Sequence, residues 1–247
     1  MLPLGSSRVF FRSSNWFFLL ILIYFLLVSG LPVEAQAPAN KNATTKEKTG
    51  ISLFESIKAN PWSKITGFRS AKFGMNEKSI YRAIAKDFKM AKSKVKKIVH
   101  TTDRTTILQI KVPDLFSVGG TAIVAYILGH ESKALMHVNV LWGQGATEKV
   151  DGESVVLTAN TLRNHFLKKR YIKDKLVANG KVSSTQTMIF RGKDQKNRML
   201  TLILQTPGKK GEETFEEATR KISLVLSYVL DPDNPDIFSL KVKEGEF

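Results

Sequence analysis

Between Trp16 and Val28 the chain carries thirteen consecutive uncharged residues, almost all Phe, Leu or Ile. A run this apolar either enters a membrane or is removed before the rest of the chain folds, so it sets the compartment in which any fold must form. Arg8 and Arg12 precede it with no acid between them, and Ser29, Gly30 and Pro32 break it, which is the layout of a secretory signal. A spanning helix needs about twenty apolar residues to cross ~30 Å of hydrocarbon, and this run is shorter. Ala35-Gln36-Ala37 supplies the small-x-small triplet of a cleavage site, so the mature chain is expected to begin at Pro38. The alternative is an uncleaved inner-membrane signal anchor. The chain has no Cys, which excludes a lipid-anchored lipoprotein, and the two arginines are not adjacent, so nothing points to twin-arginine export.

Loss of residues 1–37 removes Arg8, Arg12 and Glu34 and takes the formal charge from +16 to +15. Outside the cytosol such a balance favours anionic partners: phospholipid or lipopolysaccharide head groups, or acidic polymers. Nucleic acid is an unlikely partner for an exported chain. Without Cys the fold has no disulfides, no thiol chemistry and no thiolate-bound metal, and it must hold by its core.

Residues 38–50 are rich in Asn, Thr and Lys and read as a disordered linker, and 51–66 as a short amphipathic segment around Leu53, Phe54 and Ile57. In the domain proper, Ile80, Ile84 and Phe88 recur at helical spacing, with Asn76 as cap and Met75 and Ile80 as a hydrophobic staple. A second helix from Thr158 to about Arg170 repeats the device with Thr158 as cap, Leu157 and Leu162 as staple and Phe166 as the next core position. Each lies 82 residues after its counterpart, 162 against 80 for example. Strand patterns follow both helices: Leu108 to Val112, Ala122 to Leu128 and Leu135 to Trp142 after the first; Thr185 to Phe190, a turn at Gly192-Lys193-Asp194, Met199 to Leu204 and Ile222 to Tyr228 after the second. The expected fold is α+β, two helix-plus-antiparallel-meander repeats at 67–150 and 151–247 sharing one sheet, preceded by a signal peptide.

The segment Phe73-Gly74-Met75-Asn76-Glu77-Lys78-Ser79-Ile80, leading into a capped helix and a meander, resembles the opening of the small outer-membrane-assembly lipoproteins and of the tandem-repeat β-lactamase-inhibitor fold. The mature chain as a whole is similar to uncharacterised exported proteins of Gram-negative bacteria. The resemblance implies a periplasmic binding role, as inhibitor, assembly subunit or scaffold, and it transfers no functional residue.

Catalytic motifs do not emerge. No Walker loop, nucleophile elbow or dinucleotide fingerprint occurs, and Gly119-Gly120 reads as a loop. His130-Glu131 sits in a hairpin loop without metal-ligand spacing. The acidic turn Asp231 to Asp236 lacks the Gly and Glu of a calcium loop, so no cofactor or metal is expected. Two constellations remain. Period-two alternation places His137 and Asn139 with Leu135 on one strand face, either a solvated surface or the floor of a groove; an envelope hydrolase would need an acid gathered with them. The other is electrostatic: Lys86, Lys89, Lys92, Lys94, Lys96 and Lys97 at the first helix, and Lys168, Lys169, Arg170, Lys173 and Lys175 at the second. Side-by-side helices would merge these into one basic surface for an anionic membrane or polymer. Each cluster holds a single aromatic residue, Phe88 or Tyr171, too few for the row of stacking platforms that single-stranded nucleic acid requires.

Overall fold

The computed structural model describes residues 53–116, 119–207 and 221–239; the expected signal peptide and linker lie outside them. After a helical turn at 53–57 comes a small hairpin, β1 (Gly67–Phe68) and β2 (Ala71–Lys72). Helix α1 (Glu77–Phe88) and a 3-10 turn (Lys92–Lys94) lead into strands β3 (Lys96–Val99), β4 (Thr106–Val112), β5 (Ala122–Leu128) and β6 (Leu135–Gly143). The same order then recurs: α2 (Gly152–Phe166), a 3-10 turn (Lys173–Lys175), and strands β7 (Val177–Lys181), β8 (Gln186–Lys193), β9 (Met199–Gln205) and β10 (Ser223–Val229). All eight strands from β3 onward form one antiparallel sheet in the order β3-β4-β5-β6-β10-β9-β8-β7. The class is α+β, with one large antiparallel sheet and few helices.

Local chemistry explains where the helices start. The Asn76 side chain accepts from the Ser79 amide at 3.0 Å, and Met75 packs against the core beside Ile80, so cap and staple stand as the sequence indicates. The second helix differs from expectation. Its cap is Asp151, whose Oδ1 accepts from the Glu153 and Ser154 amides at 3.1 and 3.2 Å. The flanking staple positions are held by Val150 and Val155. Thr158 is not a cap but a buried mid-helix residue whose hydroxyl donates to the Ser154 carbonyl, and Leu157, expected to pack, is 52% exposed. The β-branched Val155-Val156 had disguised the first two turns of this helix as something less helical. Two further strands, β3 and β7, carry little strand signal, β3 because it opens with Lys96 and Lys97 and β7 because Asn179 and Gly180 interrupt it. The expected turn at Gly192-Lys193 is the end of strand β8, and the chain reverses only at 194–198.

Alternating residues divide the sheet's two faces. Leu108 and Ile110, Val124 and Tyr126, Val138, Val140 and Trp142, Leu224 and Leu226, and Leu200 and Leu202 form a continuous core with Ile80 and Ile84 of α1 and Val155, Ala159, Leu162 and Phe166 of α2. A strap of residues 61–76 crosses this face, with β1 touching β6 and β10. One end is tied at the β8–β9 turn, where Asp194 Oδ2 accepts from the Ile65 amide at 2.9 Å and the Arg198 guanidinium donates to the Ile65 carbonyl at 3.0 Å. The other end pairs with β6, through Gly74 N–H to Leu135 O at 2.9 Å and Leu135 N–H to Met75 O at 2.8 Å. At the far end of β6, Gly143 adopts a left-handed φ of 79°, and a Cβ there would meet the Ile222 carbonyl oxygen. A side chain at this position would block the approach of β10.

Asp194 is 3% exposed and its other oxygen accepts from the Lys196 and Arg198 amides. Asp194→Ala leaves the buried Ile65 amide and two turn amides without an acceptor. The substitution is expected to lower unfolding free energy by about 2–4 kcal/mol. Urea denaturation measures this; a loss under ~0.5 kcal/mol would mean that the strap is held by other contacts.

Candidate functional site

The face turned away from the helices is defined by the strand register. One row crosses the sheet as Ile107, Ile127, His137, Val229 and Met199, and another, two residues further along each strand, as Gln109, Ala125, Asn139, Ser227, Thr201 and Arg191. A third row, Lys111, Ile123, Leu141, Val225 and Ile203, is apolar apart from the exposed Lys111 at its end. A band of polar side chains therefore runs between two largely apolar ones. His137 and Asn139 are 1% and 6% exposed, so this is a buried face and not the solvated surface considered from the sequence. Leu135 does not share it. A β-bulge opposite Ile127 and Leu128 shifts the register, and Leu135 joins the helix-side core instead.

Within the band the Ser227 hydroxyl donates to Asn139 Oδ1 at 2.6 Å, joining β10 to β6. His137 has no such partner. Among the described residues neither of its ring nitrogens makes a well-aligned hydrogen bond, and Gln109 Oε1 is likewise buried without one. Burial pushes the His137 imidazole down from 6.5 to about 4, opposed in small part by the neighbouring Asn139 side chain. The same desolvation lowers the half-buried Arg191 guanidinium. The residues paired beside His137 and Asn139 are Ile127, Ala125, Val229 and Ser227, none of them acidic, so the register brings no carboxylate to the position a hydrolytic pair would require.

The basic clusters lie elsewhere. Lys86 is in the last turn of α1 and Lys89 caps it; Lys92 and Lys94 are in the following 3-10 turn and Lys96 and Lys97 on β3. Lys168, Lys169 and Arg170 follow α2, and Lys173 and Lys175 lie in the turn before β7. Because β3 and β7 are the outermost strands, the clusters flank opposite edges, seven strand steps or about 34 Å apart along the sheet at ~4.8 Å per step. They do not merge into one surface; the strap, rather than a helix–helix seam, lies over β6 and β10 at the middle of the helix-bearing face.

Beyond Phe88 and Tyr171 within their own sequence, folding brings further aromatic neighbours to both clusters. Arg170 donates its amide to the Pro61 carbonyl at 3.0 Å and accepts from the Ser63 amide at 2.9 Å, which lays its guanidinium 4.3 Å from the Trp62 ring centroid. Lys173 Nζ lies 5.8 Å from the Phe54 ring, and at the other edge Lys92 Nζ lies 4.8 Å from Tyr81. Lys97 pairs with Glu77 at 2.8 Å, the bond to Glu77 raising its ammonium pKa. Spacing along the chain could not have shown the Trp62–Arg170 stack, whereas Ser227 and Thr201 were open to detection by strand alternation.

The remaining candidates are structural. The Asp231 carboxylate accepts from the Asp233 and Asn234 amides, Asp233 takes bonds from Asn197 and Lys193, and Asp236 accepts from the Glu131 and Ser132 amides. The acidic turn thus pins the chain after β10 to the β5–β6 loop. Gly129 is required there, since a Cβ would collide with the Asp236 carboxylate. His130 of that loop packs edge-on against Phe238 at 5.4 Å. Among the described residues no group of His, Cys, Asp and Glu side chains could hold a metal, and no helix is long and apolar enough to cross a membrane.

Comparison with models of known protein families, with curated proteins and with solved structures finds no match to this chain.

His137 has a testable consequence for stability. Its imidazole is neutral when folded down to about pH 4 but takes a proton near 6.5 when unfolded, so the unfolded state binds more protons between those values. Stability should be full above pH 6.5 and fall by up to about 3 kcal/mol as pH drops to 4. His137→Gln should flatten that part of the curve. An unchanged slope in the variant, measured by urea titration at each pH, would show that His137 is not buried neutral.

Proposed function

We propose that the chain is an exported, non-catalytic binding or scaffolding protein of the bacterial envelope, periplasmic in location, that engages an anionic membrane or polymer through its basic surfaces. The observation that carries this reading is a set of exposed lysines, Lys86, Lys89, Lys94, Lys168 and Lys169, with no carboxylate partner among the described residues, in a chain of net charge +16. Part of the set has a structural reason. Lys86 and Lys89 complement the negative end of the α1 dipole, worth a few tenths to ~1 kcal/mol each, and lysines beside an edge strand discourage pairing with another sheet. Lys168 and Lys169 follow the C-terminus of α2 in the same way and Lys94 lies beside edge strand β3, yet all five ammonium groups are exposed and so open to an anionic surface. Near an anionic leaflet each would contribute ~1 kcal/mol of attraction.

The chain is further read as two helix-plus-meander repeats. The recurring element order supports this, as do the equivalent core positions Ile80 with Leu162 and Ile84 with Phe166, both 82 residues apart. The same order is what the resemblance to tandem-repeat inhibitors and outer-membrane-assembly lipoproteins implies, and it favours a second reading as a protein-binding inhibitor or envelope assembly factor.

Co-sedimentation with vesicles separates the two. The protein recovered from cells should bind vesicles containing anionic lipid and be released as salt rises, since screening shortens to ~3 Å at 1 M. Binding to neutral vesicles as strong as to anionic ones would contradict the electrostatic reading.

A further inference from the structure

We infer that, of the two basic clusters, the one built on Arg170 is the surface that meets phospholipid, with the Arg170 guanidinium taking a lipid phosphate and Trp62 seated at the head-group level. The inference rests on the proposed anionic-surface role and narrows it to one site and one ligand chemistry. Arg170 is fixed from both sides of its backbone by the bonds to Pro61 and Ser63, so its position does not depend on its side chain. The guanidinium lies against the Trp62 ring at 4.3 Å, and its Nε is buried without a hydrogen-bond partner. None of the ion pairs among the described residues involves it. The buried Nε is not open to a ligand, but the two terminal nitrogens of this half-buried side chain enter no ion pair among the described residues, and a planar pair of donors held against a ring suits bidentate contact with phosphate.

The surroundings favour a lipid surface over a soluble anionic polymer. Trp62 and Phe54 are only half-buried, and an indole with an apolar body and one polar edge partitions to the membrane interface. Lys168, Lys169, Lys173 and Lys175 are exposed around them, against the single exposed acid Asp174 within this run. The α1 cluster has no tryptophan, and Lys97 there is held by the carboxylate of Glu77.

The chain has three tryptophans, and Trp142 is fully buried, which makes Trp62 a local reporter. In the full chain carrying Trp16→Phe, emission should be quenched by a lipid-borne quencher in vesicles of phosphatidylglycerol with phosphatidylcholine, and not in phosphatidylcholine alone. Lys168→Glu with Lys169→Glu should weaken vesicle binding at least tenfold, on the basis of about fivefold per lysine near an anionic surface. Arg170→Lys, which keeps the charge and the backbone bonds but removes the fork, should weaken it severalfold. Lys86→Glu with Lys89→Glu and Lys94→Glu should leave Trp62 quenching in place. Binding to anionic vesicles that is lost in the α1 variant, or that leaves Trp62 unquenched, would overturn this inference while the broader reading stands. Failure of the unaltered chain to bind anionic vesicles would overturn both. A change in Trp62 emission with polyphosphate or single-stranded polynucleotide but not with vesicles would assign the cluster to a polymer and overturn the lipid assignment.

Discussion

The pairing of β6 with β10 is the contact on which the rest of this structure depends. It joins the last strand of each four-strand run over seven paired positions, from Ser223 opposite Gly143 to Val229 opposite His137. Every other neighbouring pair in the large sheet is made by strands consecutive in sequence, whereas these two are separated by the whole of α2 and three strands. Closing so long a loop carries an entropic cost that only burial and continuous hydrogen bonding can offset. The seam provides both: Val138, Val140, Trp142, Leu224 and Leu226 fill the helix-side core, and the Ser227–Asn139 bond crosses on the other face. Gly143 marks where the sequence permits it, since only a residue without Cβ lets the Ile222 carbonyl come so close.

From that seam outward the sheet changes character. The four strands β4, β5, β6 and β10 carry almost no exposed residue, while β3 and β7 at the margins carry lysine and polar side chains. Lys96 and Lys97 on β3 and Lys181 on β7 thus place charge where the sheet would otherwise present unpaired backbone to another molecule. The geometry that separates the edges also divides the basic clusters into two patches of different composition. The polar band on the second face is a distinct feature. Beside it, burial pushes the His137 imidazole down, and among the described residues the strand register pairs no carboxylate with His137.

Much of this was legible in the residues. Asn76, Met75 and Ile80 define the start of α1 because capping is local chemistry, and β4, β5 and β9 stand out because their apolar residues are uninterrupted or alternate cleanly. The second helix was placed seven residues late because Thr158 is as good a cap on paper as Asp151, and only packing decides between them. Strands β3 and β7 lack an apolar alternation, β3 because Lys96 and Lys97 open it and β7 because Asn179 and Gly180 interrupt it. The face assignment around Leu135 failed for a different reason: a single bulge inverts every side chain beyond it. Neither the β6–β10 seam nor the Trp62–Arg170 stack could be read along the chain, because each pairs residues eighty or more positions apart and follows from topology alone.

Backbone hydrogen exchange followed residue by residue tests the central position of the seam most directly. If β6 and β10 form the middle of one sheet, their amides should exchange through global unfolding and be the slowest in the chain, with β3 and β7 the fastest among the strands. Exchange of β10 as fast as that of β3 or β7 would place it at an edge and contradict the account.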